Sequence, residues 1–179
     1  FLYSSATYKD CFFGLLHGLQ HGAGLLVMTG APGTGKTFLL HSLLQQLDAH
    51  THVAFLVNSS LNSLEILQYV AKKLRLDIPG QSKAQLLIHL RDFLFTHATI
   101  NEKVVLIVDE AQNLSVEVLE DLRLLTNIES TEKKLIHIML VGQLPLEATL
   151  KCPELIQLRQ RVGRIYRLLP LNDDETKAY

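Results

Sequence analysis

Eight consecutive residues, Gly30-Ala31-Pro32-Gly33-Thr34-Gly35-Lys36-Thr37, limit what this chain can fold into more than any other feature. They match the pattern G-x-x-x-x-G-K-[ST] at every fixed position, directly after the apolar run Leu25–Thr29 and directly before a stretch of helical period opening at Lys36. A strand that turns tightly into a helix aims successive backbone N–H groups, and the positive end of the helix dipole, at one point; that arrangement holds a phosphate. In this reading Lys36 carries charge toward the β- and γ-phosphates of ATP and the Thr37 hydroxyl ligates Mg2+, with residues Gly30 to Thr37 and Phe38 forming the nucleotide-binding segment. The alternative is a glycine-rich turn with a chance lysine, which the strand-loop-helix context disfavours.

Around the loop, short β-rich runs alternate with longer segments of helical period, the signature of βαβ units and a parallel sheet. The expected strands are Leu25–Thr29, Val53–Asn58, Val104–Val108, Leu135–Val141 and Ile165–Leu168, and four of the five are almost wholly apolar, as strands covered on both faces are. The expected helices are Ala6–Gln20, Lys36–Ala49, Leu61–Leu76, Ser82–Thr96 and Val116–Ile128; in the third, Leu64, Leu67, Val70, Ala71 and Leu74 recur at three- and four-residue spacing. The chain has 179 residues, 37 of them Leu, yet its longest unbroken aliphatic run is Val104–Val108, far short of the roughly 20 residues that a spanning helix needs. The leucines therefore read as helix faces packing on a sheet. A balance of 17 Lys+Arg against 18 Asp+Glu argues against a surface that is one large phosphate trap. The two cysteines, Cys11 and Cys152, make neither a disulfide framework nor a metal pair. The chain starts at Phe1 and stops at Tyr179, just after Asn172-Asp173-Asp174-Glu175 opens what reads as another helix, so it is expected to be a piece of a longer protein.

Val104-Val-Leu-Ile-Val-Asp109-Glu110 is a buried-strand pattern ending in two carboxylates. In a doubly wound sheet ligands bind at the carboxyl ends of the strands, so both acids are expected beside the phosphate loop. Asp109 is suited to hold Mg2+, directly or through water, and Glu110 to act as general base on the water that attacks the γ-phosphate. The strand Leu135–Val141 can insert between the loop strand and the acidic strand, delivering Gln143 near the γ-phosphate as a sensor or water-orienting residue; the alternative is a polar residue that merely starts a loop. Downstream, residues 151–167 hold five basic side chains against one acid, for +4, whereas residues 109–132 hold seven acids and only Arg123, for −6. One arginine, Arg161 first and Arg164 second, is a candidate arginine finger acting on a neighbouring subunit, with the two charged segments meeting across a head-to-tail interface. A solvated basic helix and contact with nucleic-acid phosphates are the other readings of that cluster. His17 and His21 lie four apart with no third ligand indicated, so metal binding there is discounted. Phe12 and Phe13 could flank an adenine or simply pack in the core.

With these residues assembled, the chain resembles AAA+ ATPases, and more narrowly the ATPase domain of the ExeA/GspA-type general secretion pathway family, which has relatives in pilus biogenesis and transposition. The resemblance spans nearly the whole chain and is carried by the Gly30–Thr37 loop, Val108-Asp-Glu-Ala-Gln-Asn-Leu114, Asp121-Leu-Arg-Leu-Leu-Thr-Asn127, Leu140-Val-Gly-Gln143 and Leu158-Arg-Gln-Arg-Val162. It implies a three-layer αβα P-loop fold with a five-stranded parallel sheet in the order 5-1-4-3-2. It divides the chain into a RecA-like nucleotide-binding subdomain at 1–171 and the start of a truncated helical lid at 172–179. It further implies a cytoplasmic Mg-dependent ATPase that forms homo-oligomers and serves secretion or pilus machinery at the inner membrane. A DNA-associated ATPase such as a transposition regulator, and a nucleotide-gated binding module with slow turnover, are the competing functions.

Overall fold

The strand and helix signals resolve into one parallel sheet with helices on both faces. The computed structural model describes residues 5–57, 61–76, 78, 82–129 and 134–170. Its strands are β1 (Leu25–Gly30), β2 (Thr51–Leu56), β3 (Lys103–Val108), β4 (Ile136–Gly142) and β5 (Val162–Leu168), paired in the order β2-β3-β4-β1-β5. That is the expected order read from the opposite edge, and every pairing is parallel. Because side chains alternate along a strand, each central strand feeds two cores. Leu25, Val27, Leu106 and Ile138 face α3 (Ser63–Lys73), α4 (Lys83–Thr99) and α5 (Val116–Leu125), while Leu26, Met28, Val105, Ile107 and Met139 face α1 (Ala6–Gln20) and α2 (Lys36–Leu44). Leu15, Leu39, Leu40 and Leu43 are fully buried on the second face, each contributing roughly 1.5–3 kcal/mol by leaving water. This is where the leucine excess goes.

Helix ends follow local chemistry. Ser5, Asn62, Ser82 and Ser115 each accept a hydrogen bond from a first-turn N–H of α1, α3, α4 and α5, and Asn62/Glu65 and Ser82/Gln85 form reciprocal capping boxes. Of the five longer helices described, α2 is the exception: it opens from Gly35, at φ 87°, with no side-chain cap. Its first-turn donors point out of the loop that the sequence assigns to phosphate.

The boundaries differ from expectation at the sheet edges. β5 begins at Val162 rather than Ile165, since Gly163 and Arg164 on this edge strand are exposed and leave no apolar run to read. β2 begins at Thr51 rather than Val53 for the same reason, and the expected end of that strand, Asn58, lies outside the described residues. α2 stops at Leu44, where tight turns that bond Gln46 N–H to Leu43 C=O and Leu47 N–H to Leu44 C=O bring the chain round to β2. Two short helices that the sequence does not mark as separate elements, α6 (Pro145–Thr149) and α7 (Ile156–Arg161), follow β4. The expected lid start at 172–179 lies outside the described residues.

Candidate nucleotide site

Parallel strands end on the same side of the sheet, so the register alone gathers the loop after β1, the acids after β3 and Gln143 after β4. Gly33 and Gly35 take φ of 77° and 87°, which a residue with a Cβ would adopt only under strain. Lys36 is buried and its Nζ donates to the carbonyls of Gly30 and Ala31, both at 2.9 Å, so the ammonium is held against the loop it belongs to. Thr37 and Phe38 are exposed at the start of α2, the Phe38 ring 6.3 Å from that of Tyr8. Thr34 closes the turn by donating from Oγ1 to Ala31 C=O.

The Asp109 backbone N–H donates to Leu56 C=O at 2.8 Å, extending the β2–β3 ladder by one bond and setting the carboxylate at the strand end. The side chain is buried, and desolvation raises its pKa; the Glu110 N–H bonded to Oδ1 and the nearby Lys36 charge pull the other way. A buried carboxylate at the strand end, near the loop lysine, is a donor that suits a divalent cation.

Glu110 sits in the left-handed region at φ 52°, which costs a non-glycine residue about 1–2 kcal/mol. The polar residues around it hold that turn. Glu110 Oε2 accepts from Gln112 Nε2 at 2.5 Å and from Gln143 Nε2 at 3.3 Å, and Gln112 Oε1 accepts from the Gln143 backbone N–H at 2.9 Å. Gln112 therefore bridges the two residues expected from the sequence to be base and sensor. An added Cβ at Gly142 would lie 2.6 Å from Gln112 Oε1, so a larger residue there would displace the Gln112 amide from this arrangement. Gln112 falls inside the Val108–Leu114 segment that carries the family resemblance, but no role is expected for it from the sequence.

A second polar link braces the loop from below. Thr29 Oγ1 donates to Glu147 Oε1 at 2.7 Å, and Arg167 donates to both Glu147 oxygens, from Nε at 2.8 Å and from its terminal nitrogen at 2.5 Å. The Arg167 guanidinium holds the Glu147 carboxyl below the usual range, aided by Thr29 against the effect of burial. Thr29 and Arg167 face each other in the β1–β5 register, so β1, α6 and β5 are clasped immediately before Gly30. Glu147 is not among the residues the sequence points to, and Arg167 stands out there only as part of the basic cluster.

The arginine candidates do not join this site within the chain. Val162 pairs with Leu25 and Leu168 with Gly30, so Arg161 stands at the amino end of the sheet, about 16 Å along β1 from the loop. Its terminal nitrogen donates to Thr126 C=O at 3.4 Å, and Arg164 pairs with Asp10 at 2.7 Å while lying over the Tyr166 ring. Since α7 packs on α5, part of the basic segment lies beside part of the acidic one within the same chain. Phe12 is core and Phe13 exposed. Cys11 is buried among apolar residues, which pushes its thiol up to about 11, and is inert on that ground.

A strand-loop-helix turn with a buried lysine, an acidic strand end beside it and an inserted β4 between the two define a nucleotide-binding ATPase domain. The AAA domain family model matches residues 19–150, and the chain belongs to that family. Within it, the chain is 41% identical over 180 residues to General secretion pathway protein A of Aeromonas hydrophila, covering all of this chain and 33% of that protein; it thus spans about a third of the relative's length. Among solved structures the fold is similar to the ADP form of the Aeropyrum pernix ORC2 protein, with TM-score 0.75 and 19% identity over 98% of this chain and 50% of that one. It is also similar to Cdc6p of Pyrobaculum aerophilum, with TM-score 0.71 and 22% identity over 94% and 45%. No helix among the described residues is long and apolar enough to cross a membrane.

Proposed function

We propose that this domain hydrolyses ATP with Mg2+ and, within a longer protein, uses that cycle to drive assembly of a secretion or pilus complex at the cytoplasmic face of the bacterial inner membrane. The observation that carries the chemistry is the Glu110–Gln112–Gln143 group beside Asp109 and Lys36. The loop N–H groups and Lys36 bind and orient the phosphates, Glu110 takes the proton of the attacking water, and Gln143 orients that water or reports the γ-phosphate. Thr37 and Asp109 would hold Mg2+, which when bound would supply neutralisation of the phosphate charge. The assembly role follows the similarity to General secretion pathway protein A. Two of the four arginines in residues 151–167 are paired with acids of the same chain, which favours this role over a DNA-associated one.

Arg161, too far from its own loop to act there, is proposed as a finger supplied to another copy in a ring or filament. Turnover per subunit is then expected to rise with protein concentration, and Arg161→Ala to abolish the rise while ATP binding persists. A rate per subunit that stays flat through the range of self-association contradicts the oligomeric reading, and tight duplex-DNA binding with a steep salt slope favours the transposition-type alternative.

A further inference from the structure

At the opposite, amino-terminal end of the sheet, three ligand-type side chains converge that no motif announces. Asn101, at φ 59°, ends α4 with a left-handed turn in which Glu102 N–H bonds to His97 C=O at 3.0 Å and Asn101 N–H to Ala98 C=O at 3.1 Å. This turn folds Glu102 back over His97. The parallel pairing of β2 with β3, in which Thr51 opposes Lys103 and His52 opposes Val104, then delivers His52 to the same place. His52 Nε2 lies 2.6 Å and His97 Nε2 3.7 Å from Glu102 Oε2, and one ligand atom from each residue lies within 4.8 Å of the other two.

We propose that His52, His97 and Glu102 form a binding site for a divalent transition-metal ion of the zinc type, with water completing the coordination. Two imidazoles and one carboxylate are a donor set that zinc accepts, and bonds of about 2.0–2.2 Å require tetrahedral ligand atoms about 3.4 Å apart. The His97–Glu102 spacing is already close to that, and the His52–Glu102 pair opens by about 0.8 Å when the ion replaces the hydrogen bond between them. The His97 ring is already oriented for coordination, since its Nδ1 bonds to Phe93 C=O at 2.9 Å and leaves Nε2 as the ligand nitrogen. Phe93 also packs on both rings, 3.8 Å from that of His97 and edge-on at 5.9 Å from that of His52. Lys103, which follows Glu102 in the chain, is engaged elsewhere, donating to Gln20 C=O at 3.2 Å. The three side chains are 20–37% exposed, so an ion and its water can enter. The His17–His21 pair, with stacked rings 3.9 Å apart, is part of no such three-ligand group among the described residues. The ion would tie β2, α4 and the start of β3 together across the sheet from the nucleotide.

The test is titration of the metal-free, folded chain with Zn2+ in competition with a chromophoric chelator, repeated with Co2+ to read the visible absorption of tetrahedral cobalt. One saturable equivalent is expected, with an upward shift in Tm on addition of Zn2+. Glu102→Gln and His97→Ala are each expected to weaken binding by at least about tenfold and to abolish the cobalt band, with far-UV circular dichroism unchanged. The double variant His17→Ala/His21→Ala is expected to bind as the parent does. Absence of a saturable equivalent, binding unaffected in both site variants, or binding lost in the His17/His21 variant overturns the proposal.

Discussion

The two ends of the sheet are built in opposite ways. At the carboxyl end, the groups proposed to act on the nucleotide lie within single short segments: the loop 30–37 carries its own glycines, lysine and helix start, and Asp109 and Glu110 are adjacent. At the amino end, His52 comes from β2, His97 from α4 and Glu102 from the turn between α4 and β3, and they meet because β2 pairs with β3 and α4 turns back at Asn101. Backbone donors need local geometry, so a motif specifies them; a cluster of side chains needs tertiary pairing, so no local pattern does. Chemistry with ATP is therefore expected to respond to changes at one end and not the other.

The sharpest contrast comes from Lys36→Ala, which removes the buried ammonium from the loop; ATP turnover is expected to fall by about two to three orders of magnitude, measured as phosphate release. Gln112→Ala is next. It removes the bridge between Glu110 and Gln143, and kcat is expected to drop about tenfold, about 1.4 kcal/mol, with ATP affinity retained; a loss of affinity instead would mean that Gln112 acts on binding and not on the base. Glu147→Gln leaves Thr29 and Arg167 without their carboxylate, and is expected to destabilise the fold by about 1–2 kcal/mol in urea unfolding, a modest figure because Arg167 is well exposed. The same link has a pH sign. The Glu147 pKa is depressed in the folded state, so its stabilisation is full above the unfolded carboxylate value of about 4.5 and fades as pH falls through the lower, folded value; the variant should lose less stability than the parent across that acid window. Phe13→Ser, on the exposed side of α1, is expected to change stability by no more than about 0.5 kcal/mol.

How far the chain can be read from its residues follows the same division. The strand order is legible because an Asp-Glu strand end and a later apolar strand with Gly142-Gln143 imply an inserted strand, and β4 does lie between β1 and β3. Helix α1 has the expected bounds, Ala6–Gln20, because its period and its cap are both local. The edge strands start earlier than expected since their first residues are less buried and His52 or Arg164 interrupts the apolar run. Arg164 draws attention as a charge, yet it pairs with Asp10, 154 positions away. The links from Gln112 to Gln143, from Glu147 to Thr29 and Arg167, and from His52 to Glu102 escape a reading of the sequence because they join residues 20 to 118 positions apart that only the folded chain brings together.

All of the proposed chemistry turns on Glu110, held by Gln112 and Gln143 beside Asp109, as the base for hydrolysis. Phosphate release by the wild-type chain and by Glu110→Gln, with Mg2+ and with the metal chelated, at one protein concentration and alongside a direct ATP-binding measurement, tests that role most directly. Magnesium-dependent turnover is expected to fall by about 10²–10⁴ in the variant while ATP still binds. Equal turnover in the two proteins would contradict it.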